Sequence, residues 1–232
     1  MIQESVNREK VANQIEHYSF LCKATKTGIL RFLSHREWIT AVERTMRRAS
    51  FPLWYTQGFH PKPKLTFSRA LPTGLASEAI YFIVRLRTRP EAINEMVRGF
   101  NAKSPVGLKL RGMWEMARGE KFNTYLNSWS FRLIIKDEIK NSEALNSFLS
   151  ERASDVRLLF LNKSFFMIEY NTVEENWLDY RDVLQFIYAE RFPELFYMPI
   201  LREVFYSGEV ECPVSELFIR RGGNNAKKSS GN

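Results

Sequence analysis

The loop "GFHPKP", Gly58 to Pro63, carries one of only three histidines in the 232 residues. Its glycine permits a positive φ, and Pro61 and Pro63 push His60 and Lys62 toward extended backbone. Phe59, His60 and Lys62 are thereby offered from a stiff frame, with Trp54 and Tyr55 just upstream. Aromatics interleaved with cations hold single-stranded nucleic acid by stacking and phosphate contact. The same residues also fit a plain structural role, with Phe59 and Trp54 filling the core and the prolines stiffening the entry to a strand. Both readings stay open at this point.

A second group surrounds His35. Ser34 and Glu37 form a capping box, S-x-x-E, so a helix opens at Ser34. At 100° per residue His35 shares the apolar stripe of Trp38, Val42 and Met46. It reads as a half-buried histidine at the turn, kept neutral by the helix dipole. Ser34 and His35, with Gly74, Ser77 and Glu78 from the turn after Leu71, make a second candidate site. The other helix face carries Arg36, Arg44 and Arg47, with Arg48 beside them. The nucleic-acid-binding candidates are therefore Arg31, Arg36, Arg44, Arg47, Arg48, Phe59, His60, Lys62 and Lys64.

Charge supports that choice. Phe20 to Leu75 holds ten Lys and Arg against two Glu, whereas Glu120 to Ile219 holds ten cations against seventeen carboxylates. A basic half attracts polyanions. An acidic half fits contact with protein, or with the basic half itself.

Other chemistries find no motif. The chain has no P-loop, GxGxxG, HExxH or GxSxG. Cys22 and Cys212 stand apart, outside any zinc or iron–sulfur spacing, and read as reduced thiols. No metal and no cofactor is expected. No apolar run approaches membrane-spanning length, and the N-terminus is too charged for a signal peptide. The expected location is cytoplasmic, with no membrane partner.

The elements that must position these residues occur twice. Tyr18–Lys26 reads as a strand, with alternation resuming near Ile29–Phe32. The Ser34 helix follows, then strands at Lys64–Ala70 and Ala79–Arg87, a helix through Ile93 and Phe100, and a strand at Val106–Leu110. Trp129–Ile135, Ser142–Arg152, Val156–Leu161, Phe165–Tyr170, Asp179–Arg191 and Pro199–Tyr206 repeat the order β-α-β-β-α-β. The fold class is α+β: two tandem ferredoxin-like (βαββαβ) units, each an antiparallel sheet backed by helices. The expected boundaries are an N-terminal helical extension (1–17), a basic domain (18–111), a linker (112–127), an acidic domain (128–219) and a disordered tail (220–232). In this topology His35 and His60 begin at opposite strand ends, about 20 Å apart for a six-residue strand. That argues against their acting as an acid–base pair.

Lys26 to Ala79 resembles the radical-SAM-linked proteins, a domain found beside or fused to radical-SAM enzymes. Lys26–His35 matches K-x-G-x-x-R-F-x-S-H, an arginine-rich helix follows, and Gly58–Pro63 matches G-F-x-P-x-P. Thr66–Glu78 matches S-F-x-x-A-L-P-x-G-x-x-S-E with Thr66 for Ser, and Arg36–Glu37 replaces Leu-Asp. The resemblance implies a bacterial, cytosolic accessory protein whose partner is a radical-SAM protein. The chain itself lacks the CxxxCxxC of a radical-SAM core.

The leading expectation is a non-catalytic RNA-binding or substrate-presenting accessory protein. One alternative is a metal-independent endoribonuclease of the CRISPR-RNA-processing type, which shares the tandem architecture. The other is a protein-interaction module that takes no nucleic acid.

Overall fold

A computed structural model of the chain describes residues 17–117, 128–136, 142–162, 165–173, 176–188, 197–206 and 212–213. The expected N-terminal extension up to residue 16, residues 118–127 of the expected linker, and the tail at 220–232 lie outside the described residues.

The architecture is mixed α+β, with nine strands and four α-helices among the described residues. β1 (Tyr18–Lys26) ends in a turn where Gly28 takes φ +57°. The chain then forms a 3-10 helix, Gly28–Phe32, instead of the resumed strand that the alternation predicts. α1 (His35–Arg48) starts as the capping box requires. The Ser34 hydroxyl accepts from the Glu37 N–H at 3.3 Å, and the Glu37 carboxylate accepts from the Ser34 N–H at 2.8 Å. Two first-turn donors that would otherwise lack partners are thus satisfied. Trp38, Val42, Thr45 and Met46 form its buried face.

β2 (Leu65–Phe67) is shorter than the alternation from Lys64 to Ala70 predicts. β3 (Ala76–Leu86) starts earlier than predicted, and α2 (Ile93–Lys103) follows it. β4 is Leu110–Glu115 and not Val106–Leu110, so it occupies the first part of the expected linker. The shift has a local cause. Gly107, at φ +93°, takes the Thr27 N–H and the Thr25 hydroxyl on its carbonyl, each at 3.0 Å. This turn is bolted to the end of β1, and the strand begins only beyond it.

The second half comprises β5 (Ser128–Ile135), α3 (Ser142–Ser150), β6 (Ser154–Asn162), β7 (Phe165–Val173), α4 (Tyr180–Tyr188), β8 (Tyr197–Tyr206) and β9 (Cys212–Pro213). In the first half the strands lie in the order β4-β1-β3-β2, all antiparallel. In the second the order is β8-β5-β7-β6, also antiparallel.

The two sheets expected from the sequence are one. β8 lies parallel to β3, pairing Ala76 with Ile200 and Ser77 with Leu201. Short β2 covers only Phe82 to Val84 on that edge of β3, which leaves the other end with backbone groups to satisfy. Arg202 adds an ion pair to Glu78 at 3.0 Å. Packing follows the same join. Phe20, Cys22, Ile80, Phe82 and Val84 form a core with α1 and α2. Leu21, Ala79, Tyr81 and Ile83, from the opposite faces of β1 and β3, belong to the core of Phe131, Leu133, Leu149 and Val183 in the second half. β3 is therefore buried on both faces.

Candidate nucleic-acid interface

The segment after α1 runs along the outer edge of β3 and is fastened there. Arg87 N–H donates to the Pro52 carbonyl and Trp54 N–H to the Arg85 carbonyl, both at 2.8 Å, and Leu53 bridges Leu86. Tyr55 bridges Pro63, and the Thr56 N–H donates to the Lys62 carbonyl at 2.8 Å. The Lys62 N–H returns a bond to the Thr56 hydroxyl at 3.1 Å. Two arms are thus zipped as far as Thr56 and Lys62, and residues 57–61 form a tip with Gly58 at φ +142°.

Phe59 stands at this tip with a relative exposure of 103%. It does not fill the core, so the structural reading of that side chain falls. Pro63 is buried and Trp54 is half-buried, its ring 5.8 Å from that of His17, so the anchoring role belongs to these two. His60, Lys62 and Lys64 are exposed. Arg87, with its guanidinium 5.6 Å over the Tyr55 ring, adds a cation at the base of the loop that sequence reasoning missed. Only the register of β3 brings it there, so no local signal announced it.

α1 runs back along β1 and delivers its C-terminal end to the same region, since the chain after Arg48 reaches Pro52 beside Arg87. Arg44, Arg47 and Arg48 are exposed. Arg47 lies 3.9 Å from Glu43, a weak surface pair. Among the described residues no carboxylate lies within 4 Å of Arg36, Arg44 or Arg48. Arg36 is at the other end of α1, about 20 Å away for fourteen residues. Arg31 is also at that end, stacked 4.6 Å over the Phe32 ring.

The second candidate group gathers at the start of α1. The Gly74 N–H donates to the Arg31 carbonyl at 2.8 Å, and Ser77 pairs with Lys26 across β1 and β3. Ser77 is fully buried and its hydroxyl accepts from the Ala79 N–H. Glu78 is turned to Arg202. Lys26, which the sequence showed only as a motif residue, has a relative exposure of 2%, and its ammonium donates to the Leu33 carbonyl at 2.7 Å. Burial lowers its pKa, opposed by the nearby Glu37 carboxylate. Burial, and then the Lys26 charge, lower the pKa of His35, whose ring meets Phe67 edge-on at 6.0 Å. The Ser34 bonds hold Glu37 below the usual carboxylate range. These groups mostly satisfy one another, and the arrangement ties three segments together.

His35 and His60 are far apart. The Lys26–Ser77 and Leu53–Leu86 pairings mark the two ends, nine residues of β3 or about 30 Å from each other. Among the described residues no three His, Cys, Asp or Glu side chains cluster as metal ligands would. Among them too, no helix is long and apolar enough to cross a membrane.

A mixed α+β protein with a basic loop and helix at one sheet end is the class these observations define. The chain belongs to a family of uncharacterized proteins conserved in bacteria (DUF2344), whose model matches residues 20–203. No curated protein is similar enough to match. Among solved structures, an unknown protein from Galdieria sulphuraria aligns at 10% identity and TM-score 0.27, covering 80% of this chain and 99% of that one. A "putative glycine cleavage system transcriptional repressor" aligns at 9% identity and TM-score 0.24, covering 79% and 96%. Likeness at this level carries no argument about function.

Proposed function

We propose that the protein is a non-catalytic accessory that holds single-stranded RNA on the basic end of its first half. The exposed Phe59 carries this reading. A large apolar ring has no structural reason to stand in water on a loop so firmly zipped, and a stacked base supplies one. His60, Lys62 and Lys64 lie along the loop, with Arg44, Arg47, Arg48 and Arg87 at the same end of the sheet, to meet phosphates. Each half is read as a ferredoxin-like unit, because strand order and direction repeat as that fold requires. The acidic second half is assigned to protein contact, and the partner, by the resemblance of Lys26–Ala79 alone, to a radical-SAM enzyme.

The test is fluorescence anisotropy with labelled single-stranded RNA across a salt series. Binding that weakens steeply with salt and falls on Phe59→Ala supports the reading. Binding indifferent to both refutes it. Co-purification with a radical-SAM protein tests the partner separately.

A further inference from the structure

Outside that interface, a cavity of about 150 Å³ lies where the two halves meet. Its first-half wall is the loop after β2, including Arg69, Ala70 and Leu71. Its second-half wall includes Trp129, Trp177 and Asp179. Trp177 stands edge-on to Trp129 and Phe131, with centroids 5.1 and 5.6 Å away. Arg69 lies 4.7 Å over the same indole. Asn176 and Leu178, on either side of Trp177, are held by hydrogen bonds. Buried Thr172 accepts the Leu178 N–H at 2.8 Å and donates to the Asn176 carbonyl at 2.9 Å. Asp179 accepts from Arg181 Nε at 3.0 Å and takes a hydrogen bond from the Trp177 side chain.

We propose that this cavity binds a single nucleobase, of a free mononucleotide or of one nucleotide lifted from a strand, with the phosphate outside against Arg69. Size sets the first limit. A cavity of this volume holds one small ring system and falls short of a drug-sized site. Chemistry sets the second. Indole and phenyl walls favour a flat ring, while the charged rim of Arg69 and the Asp179–Arg181 pair favours one with a polar edge, which a hydrocarbon ring lacks. Among the described residues Arg69 has no carboxylate within 4 Å, so its charge is available to a phosphate. The site is distinct from the Phe59 loop, which is fastened at the other end of the β3 edge.

The experiment is titration of the full chain with AMP, GMP, CMP and UMP, read by tryptophan fluorescence and calorimetry. Saturable binding with quenching is expected for at least one. Ala70→Trp, at an exposed position on the rim, should weaken it about tenfold or more, the range of one lost stacking contact. Arg69→Ala should abolish the preference for nucleotide over nucleoside. Competition by a hexanucleotide, but not by its abasic counterpart, would assign the base to a strand; absence of competition would assign it to a free nucleotide. No saturable binding by any of the four overturns the proposal, as does unchanged affinity in Ala70→Trp and Arg69→Ala proteins of parental thermal midpoint. Phe59→Ala should leave mononucleotide affinity unaltered, so failure of the RNA interface and failure of this cavity are told apart.

Discussion

Phe59→Ala separates the two roles an aromatic residue can have. A buried phenylalanine truncated to alanine costs about 3–5 kcal/mol of folding stability. Phe59 is fully exposed and the hydrogen bonds that shape its loop are made by Thr56 and Lys62, so the substitution removes no core contact. Its effect on stability should stay within about 0.5 kcal/mol, as for surface changes generally. If a base stacks there, RNA affinity should fall by about 1–3 kcal/mol, roughly 5- to 150-fold. Thermal unfolding and anisotropy on the same preparation read both quantities. Phe59→Trp should restore binding, since any large aromatic face serves. Unchanged RNA affinity in Phe59→Ala, or a large fall in melting temperature, would refute the stacking argument.

Other perturbations address other links. Arg44→Ala combined with Arg47→Ala removes two phosphate contacts and should reduce the slope of log affinity against log salt by about 1.4, measured by the same titration. Gly107→Ala must hold φ at +93° and place a Cβ 2.3 Å from the Thr27 carbonyl oxygen, so it should destabilise by about 1–3 kcal/mol or more in chemical denaturation. His35 has its pKa lowered on folding, so the unfolded chain binds the extra proton between that lowered value and about 6.5. Its contribution is intact above that window and lost as pH falls through it, and His35→Gln should flatten this part of the stability profile. Ser34→Ala removes the cap hydroxyl and should cost about 1 kcal/mol, read by thermal unfolding.

Local rules were readable and non-local ones were not. The start of α1 followed from Ser34 and Glu37 alone, because the capping box closes within one helical turn. Its buried stripe followed from the spacing of Trp38, Val42 and Met46. The element order of both halves was visible in the alternation of apolar residues. By contrast, the 3-10 turn at Gly28 and the late start of β4 depend on what Gly107 meets across the end of β1, which no short window contains. The fusion of two sheets depends on β8 meeting Ala76 and Ser77 at the start of β3, a pairing between residues more than a hundred positions apart. Lys26 looked like any strand lysine, since burial of an ammonium is a tertiary property. The loop tip was visible as a stiff basic segment, though only the structure shows which way Phe59 turns. The cavity was invisible, because Arg69 and Trp177 come together only when β8 docks on β3.

That docking also bears on modularity. Repeated folds are commonly treated as beads that can be cut apart, and the sequence pattern invites a cut near residue 118. Such a cut would strip β8 from β3 and bare Leu21, Ala79, Tyr81 and Ile83 along one face. An open edge beside an apolar face is a template for self-association. The first half on its own is thus a poor unit for expression or domain exchange.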